Sequence, residues 1–179
     1  MSSGKASPQI EIRRCAPGDA PALALVGQAT TLETYPELMP LADMLAHTEH
    51  EHGRARYAGW LADPAYRIWI AELAATRSPV GYVVLCPPDL PVPTEPGDLE
   101  VKRIYVLAPY KGTGLGARLM STALEAARAA GASRVWLGVN RDNRAAQAFY
   151  ARQGFTRAGE RKFRVGASIY DDLVLARPL

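Results

Sequence analysis

The chain has 179 residues, 48% of them apolar, which is enough for one domain with a substantial core. A formal charge of +3 helps attract an anionic cofactor but is no nucleic-acid footprint, and Cys15 and Cys86 are too few for a disulfide framework, which suits a cytoplasmic protein. No apolar run approaches the ~18 residues that span a bilayer, so no membrane segment is expected, and the polar residues 1–7 read as a loose tail without the apolar block of a signal peptide.

From residue 8 to 179 a single domain is expected. Ile10-Glu-Ile12 alternates like a first strand. Asp19 is placed to cap a helix from Ala22 to about Thr30, and Thr34-Tyr-Pro36 interrupts it, because the residue before proline resists helical geometry. A second helix covers Leu41 to Leu61 with a break near Gly53. Tyr66 to Leu73 and Val80 to Leu85 form a hairpin across Thr76-Arg-Ser-Pro79. Five prolines make Pro87 to Gly97 an irregular loop. Leu99 to Val106 is a strand, Gly114 to about Ala130 a helix, Arg134 to Val139 a strand and Asn143 to Gln153 a helix. Phe163 to Val165 and Ile169 to Leu175 close the chain as an antiparallel pair. The sum is a mixed α/β sandwich with one central sheet flanked by helices.

Between the strand ending at Val106 and the following helix lies Pro109-Tyr-Lys-Gly-Thr-Gly-Leu-Gly116. Glycines at 112, 114 and 116 bare the backbone where a helix begins, so consecutive N–H groups can turn toward one anion. That architecture grips a pyrophosphate. A P-loop is excluded because no Lys-Ser or Lys-Thr pair follows the glycines. Gly112, Gly114 and Ala117 formally match a dinucleotide fingerprint, but there the strand should run almost directly into the first glycine. A third pattern, Gln/Arg-x-x-Gly-x-Gly/Ala, is met by Lys111, Gly114 and Gly116 with a conservative Lys in its first position.

That third pattern is the coenzyme A loop of the GNAT superfamily of N-acetyltransferases, and the resemblance extends along the chain. Ile104-Tyr-Val106 resembles their central strand and Trp136-Leu-Gly-Val139 the strand after the helix. Asn143-Arg-Ala-Ala-Gln-Ala-Phe-Tyr-Ala-Arg-Gln-Gly-Phe155 is similar to their Asn-x-x-Ala-x-x-x-Tyr-x-x-x-Gly-Phe motif at every specified position. The ending, Phe163-Arg-Val-Gly166 and then Asp172-Leu173, resembles a bacterial branch that includes polyamine acetyltransferases, which makes Phe163 to Asp172 a further substrate-side candidate. Members of that branch often carry an acidic residue after the glycine, where this chain has Ala167.

The resemblance implies a mostly antiparallel sheet with a bulged, splayed strand pair near Val106 that holds coenzyme A. It implies acetyl-CoA as donor, a primary amine on a small molecule or peptide as acceptor, direct transfer in a ternary complex, and no metal. It leaves a homodimer open. Ile104, Tyr105, Val106, Lys111, Gly112, Thr113, Gly114, Leu115, Gly116, Ala117, Asn143, Ala146 and Tyr150 are the implied coenzyme contacts, although Lys111 could equally be solvated. Asn143 caps its helix, touches the coenzyme, or does both.

For catalysis, Val106 N–H is expected to stabilise the oxyanion. Tyr150 beside Phe149 reads as a core aromatic from pattern alone, whereas the resemblance puts its hydroxyl near the coenzyme sulfur as proton donor. Glu100, eleven residues before Lys111, is either a general base, as in some branches, or a strand-end carboxylate paired with an Arg. Another branch carries its base where this chain has Gly138. Glu33, Tyr35 and Glu37 fall where the family shapes its acceptor pocket; they meet a cationic amine or serve as turn residues. His47, His50 and His52 lack a companion ligand group and read as a solvated helix face. A catalytically silent acyl-CoA-binding module is the competing reading.

Overall fold

A computed structural model describes residues 8–37, 39–165 and 168–179. The tail expected at 1–7 and the Gly166-Ala167 position lie outside the described residues. The strands are β1 (Ile10–Arg14), β2 (Arg67–Leu73), β3 (Pro79–Cys86), β4 (Leu99–Val106), β5 (Arg134–Asn140), β6 (Thr156–Val165) and β7 (Ser168–Pro178). The α-helices are α1 (Ala20–Thr34), α2 (Leu41–Glu51), α3 (Arg54–Ala62), α4 (Leu115–Ala129) and α5 (Arg144–Arg152).

All seven strands join one sheet in the order β1-β2-β3-β4-β5-β7-β6, antiparallel except where β4 runs beside β5. β3 sits mid-sheet with helices on both faces, and Val80 through Cys86 are all buried, so it reads as an uninterrupted apolar run. On one face α4 and α5 cover β3, β4 and β5, packing Leu115, Leu119, Met120 and Tyr150 against Val83, Val101, Val106 and Val139. On the other, α1 and α3 pack Leu23, Val26, Tyr57 and Trp60 against Ile68, Ile70, Tyr82 and Val84. The break foreseen near Gly53 separates α2 from α3.

Two expectations change. The last hairpin is longer than foreseen, since β6 begins at Thr156 rather than Phe163. The irregularity in β4 lies farther back than the expected Val106: Val84 faces Arg103 while Leu85 faces Val101, which leaves Lys102 as the extra residue.

Candidate active site

The glycine loop starts as a 3-10 turn, Ala108–Tyr110, just after β4. Glu33, at the end of α1, accepts the Ala108 N–H at 2.9 Å, and Thr113 Oγ donates to the Tyr110 carbonyl at 2.7 Å. Gly112 and Gly114 then take φ of +78° and +86°, the left-handed region that side chains disfavour. Gly114 is the residue before α4, so the N–H groups of Leu115, Gly116 and Ala117 belong to the first helical turn and have no intrahelical acceptor. They point the way an anion at a helix N-terminus needs, and Lys111 is exposed beside them.

From this loop a gap runs into the sheet. β4 and β5 pair only at Leu99 with Val135 and Glu100 with Trp136, and then diverge. Beyond that point β5 stays paired to β7 as far as Asn140. On the β4 side, Leu107 N–H donates to the Val80 carbonyl at 2.9 Å. Because alternate residues of a strand address opposite neighbours, the N–H groups of Ile104 and Val106 point away from β3, into the gap. Ile104 and Val106 on β4, Val139 on β5 and Ala146 and Tyr150 on α5, the elements on either side of the gap, belong to one apolar cluster. Asn143 caps α5, its Oδ1 accepting the Ala146 N–H at 3.0 Å.

Tyr150 lies 9% exposed between Phe149 and Phe155. Burial raises its pKa, with Tyr105 adding to the effect, so the phenol keeps its proton at neutral pH. Tyr105 turns to the opposite face from Ile104 and Val106: its ring stacks on Tyr82, and its hydroxyl is 3.5 Å from that of Tyr35. Beneath it runs a buried chain. Thr31 Oγ contacts His52 Nε2 at 3.1 Å, His52 Nδ1 contacts Tyr57 Oη at 2.9 Å, and Tyr57 Oη donates to Tyr82 Oη at 2.8 Å. Arg103 Nη1 donates to the same Tyr57 oxygen at 3.1 Å. His52 is therefore 1% exposed, which corrects its assignment to a solvated helix face. Burial, with Arg103 and His47 nearby, lowers its pKa to about 2, so the ring is neutral.

One acidic group joins the tyrosines. Asp172 on β7 is 6% exposed, and its Oδ2 accepts from Arg161 Nε and Nη2 at 3.1 and 3.0 Å. Burial raises the Asp172 pKa, Arg161 opposes the shift, and Asp171 adds to it. Tyr35 has its pKa raised well above the phenol range, first by Tyr105 and burial and then by Tyr150 and Asp172. Tyr35, Tyr105, Tyr150 and Asp172 thus share one electrostatic neighbourhood. Gly138 contributes through its missing side chain, since a Cβ there would lie 2.5 Å from Arg161 Nη2.

The remaining candidates separate. Tyr35 reaches the cluster, whereas Glu33 is engaged by the loop and Glu37 is exposed. Glu100 is 2% exposed at the closed end of the gap, where its Oε2 accepts the Asp89 N–H at 2.8 Å. Val106 lies six residues farther along β4, about 20 Å at ~3.3 Å per residue. Asp172 belongs to the Phe163–Asp172 ending expected on the substrate side, whereas Arg161 lies outside it and was missed, because only the β6–β7 register sets Arg161 opposite Asp172.

The acetyltransferase (GNAT) family profile matches residues 32–155. An uncharacterized N-acetyltransferase of Mycobacterium tuberculosis is 37% identical over 161 residues, spanning 90% of this chain and 98% of that protein. Among solved structures, the PaiA N-acetyltransferase of Thermoplasma acidophilum in complex with coenzyme A superposes with a TM-score of 0.78 at 18% identity, over 96% of this chain and 99% of that one. The ribosomal-protein-S18-alanine N-acetyltransferase of Escherichia coli superposes with a TM-score of 0.69 at 18% identity, over 95% and 94%. The protein is therefore an acyltransferase. It belongs to the GNAT family of N-acetyltransferases.

Proposed function

We propose that the protein transfers the acetyl group of acetyl-CoA directly to a primary amine bound in the same complex. One observation carries this reading: the gap that begins at the glycine loop exposes the Ile104 and Val106 N–H groups and has Tyr150 in its wall. The N–H groups from Gly112 to Ala117 hold the pyrophosphate, and Asn143 and Ala146 flank the pantetheine arm. The thioester supplies the activated acyl group, and the protein supplies alignment.

An alkyl ammonium with pKa ~10 has to lose a proton before it attacks. Asp172 accepts that proton, because it is the carboxylate that acts on Tyr35 and its pKa is already raised. Glu100, whose carboxylate is enclosed and engaged by Asp89 N–H, is not the base in this reading. The neutral nitrogen forms a bond to the carbonyl carbon, and the resulting oxyanion meets Val106 N–H. As the carbon–sulfur bond breaks, Tyr150 protonates the thiolate, and the proton shed by the new amide nitrogen restores the phenol.

Thiol release from acetyl-CoA, followed across polyamines, aminoglycosides, amino acids and peptide amines, tests the proposal. Amine-dependent release together with the acetylated amine by mass spectrometry is the expected result. Tight acetyl-CoA binding without release for any amine would instead make the chain an acyl-CoA-binding module.

A further inference from the structure

On the Asp172 side of the sheet a cavity of about 700 Å³ opens between α2, α3 and β6, large enough for a small organic ligand. Its lining carries five permanent cations, Arg56, Lys102, Arg161, Lys162 and Arg164, against two carboxylates, Glu51 and Asp89. Some of this charge is already answered. Arg56 pairs with Glu51 at 2.9 Å, and Arg161 holds Asp172. The rest is loosely held. Lys102 stands 3.6 Å from an Asp89 side chain that is 89% exposed, and Lys162 stands 3.5 Å from an exposed Asp171. Arg164 is exposed and has no ion pair among the described residues.

Arg161 belongs to both places. Its guanidinium binds the Asp172 carboxylate of the acceptor site and also forms part of the groove wall. An acceptor whose amine lies at Asp172 therefore extends its remainder past Arg161 into a positively charged cleft. We infer that the groove is a subsite for an anionic group on the acceptor, so the substrate is an amine that also bears a carboxylate or a phosphate. This rests on the reading of the chain as an amine acetyltransferase. A polyamine would carry its further ammonium groups into like charge, a penalty that added salt screens. An acidic amine would place opposite charges within reach of Lys102, Lys162 and Arg164 and gain affinity and orientation.

Three probes separate the possibilities: the tripeptide amide Ala-Asp-Glu-NH2, phosphoethanolamine and spermidine. Binding to the coenzyme A-loaded protein is measured by calorimetry at low and high salt, and turnover by thiol release. At least one anionic amine is expected to bind tenfold or more tightly than spermidine, with the difference shrinking in high salt. The peptide and phosphoethanolamine distinguish carboxylate from phosphate as the group recognised. Arg164→Glu, at an exposed position, is expected to weaken the anionic amine at least tenfold while leaving coenzyme A affinity and Tm unchanged. Spermidine binding as tightly as both anionic amines, or an Arg164→Glu protein indistinguishable from wild type, overturns the inference. Salt-sensitive binding of the anionic probes without acetylation of any amine would keep the subsite and reject the acetyl-transfer reading instead.

Discussion

Gly138 and Arg161 occupy one space: the guanidinium Nη2 sits 2.5 Å from where a Cβ on residue 138 would be. That closeness lets Arg161 lie flat against β5 and bind Asp172 through both Nε and Nη2. Gly138→Ala is expected to push the guanidinium, the far end of a flexible side chain, away from Asp172 at a stability cost below the about 1–3 kcal/mol of an overpacked core. It is also expected to raise KM for the amine while acetyl-CoA affinity stays unchanged. Denaturant unfolding and steady-state kinetics on the one variant check both effects.

The Tyr150 hydroxyl is raised in pKa by burial and keeps its proton through the working pH range. Tyr150→Phe preserves the ring packed between Phe149 and Phe155 and removes only the donor. A fall in kcat of about 100-fold with an unchanged acetyl-CoA dissociation constant is expected. Equal kcat values would return Tyr150 to a purely packing role.

Two carboxylates are separated by paired variants. Asp172→Asn is expected to lower kcat/KM and flatten the acidic limb of the pH profile, with partial recovery at high pH where more amine is already neutral. Because burial raises the Asp172 pKa, the wild-type acidic limb should lie above the ordinary carboxyl range. Glu100→Gln is expected to leave the profile unaltered. Glu100→Ala, which orphans the Asp89 N–H, should cost about 1–3 kcal/mol of stability. A shifted acidic limb in Glu100→Gln alone would move the base to Glu100.

At Gly114 a side chain would meet open space, since nothing lies within 4 Å of the position a Cβ would take. The obstacle is φ of +86°, which a β-branched residue does not adopt without strain. Gly114→Val is therefore expected to reorient the loop N–H groups and weaken acetyl-CoA at least tenfold, whereas Gly114→Asn, tolerant of that conformation, stays closer to wild type. Calorimetry on folded variants measures the difference, and equal affinities would remove the loop from the pyrophosphate.

Acid unfolding should report on His52. Its pKa is near 6.5 when unfolded and about 2 when folded, so below pH ~6.5 the unfolded chain takes up a proton that the native protein refuses. The stability tied to the neutral ring is complete above that pH and declines on acidification, by up to ~1.4 kcal/mol per pH unit. His52→Gln, which does not titrate, is expected to be less stable at neutral pH but to show a shallower decline. Parallel slopes for the two proteins would mean that His52 titrates normally.

Local sequence carried much of this architecture. The glycine loop, the Asn143 cap and the helix through Tyr150 depend on near neighbours, and they lie where spacing put them. Thr156 to Lys162 did not read as strand because Thr-Arg-Ala-Gly-Glu-Arg-Lys offers no apolar alternation; as an edge strand it needs only the β7 ladder. His52 looked solvated because its enclosure comes from Thr31 on α1 and Tyr57 on α3, which no spacing along α2 reveals. Asp172 gains its place through Arg161 and the space left by Gly138, three strands meeting in register. Such through-space relations leave only faint traces in a single sequence.

The divergence of β4 from β5 gives the sheet an open hydrogen-bonding border in its middle instead of only at its rims. Unpaired borders at a periphery invite other chains to add on and aggregate. This one lies inside the sheet, with α4 and α5 packed on one face and the Tyr35–Tyr105 pair on the other, away from the rims where another chain adds on. A slim molecule with amide groups along a flexible arm can still enter. The fold thereby leaves its backbone open to one kind of guest without becoming adhesive to its neighbours.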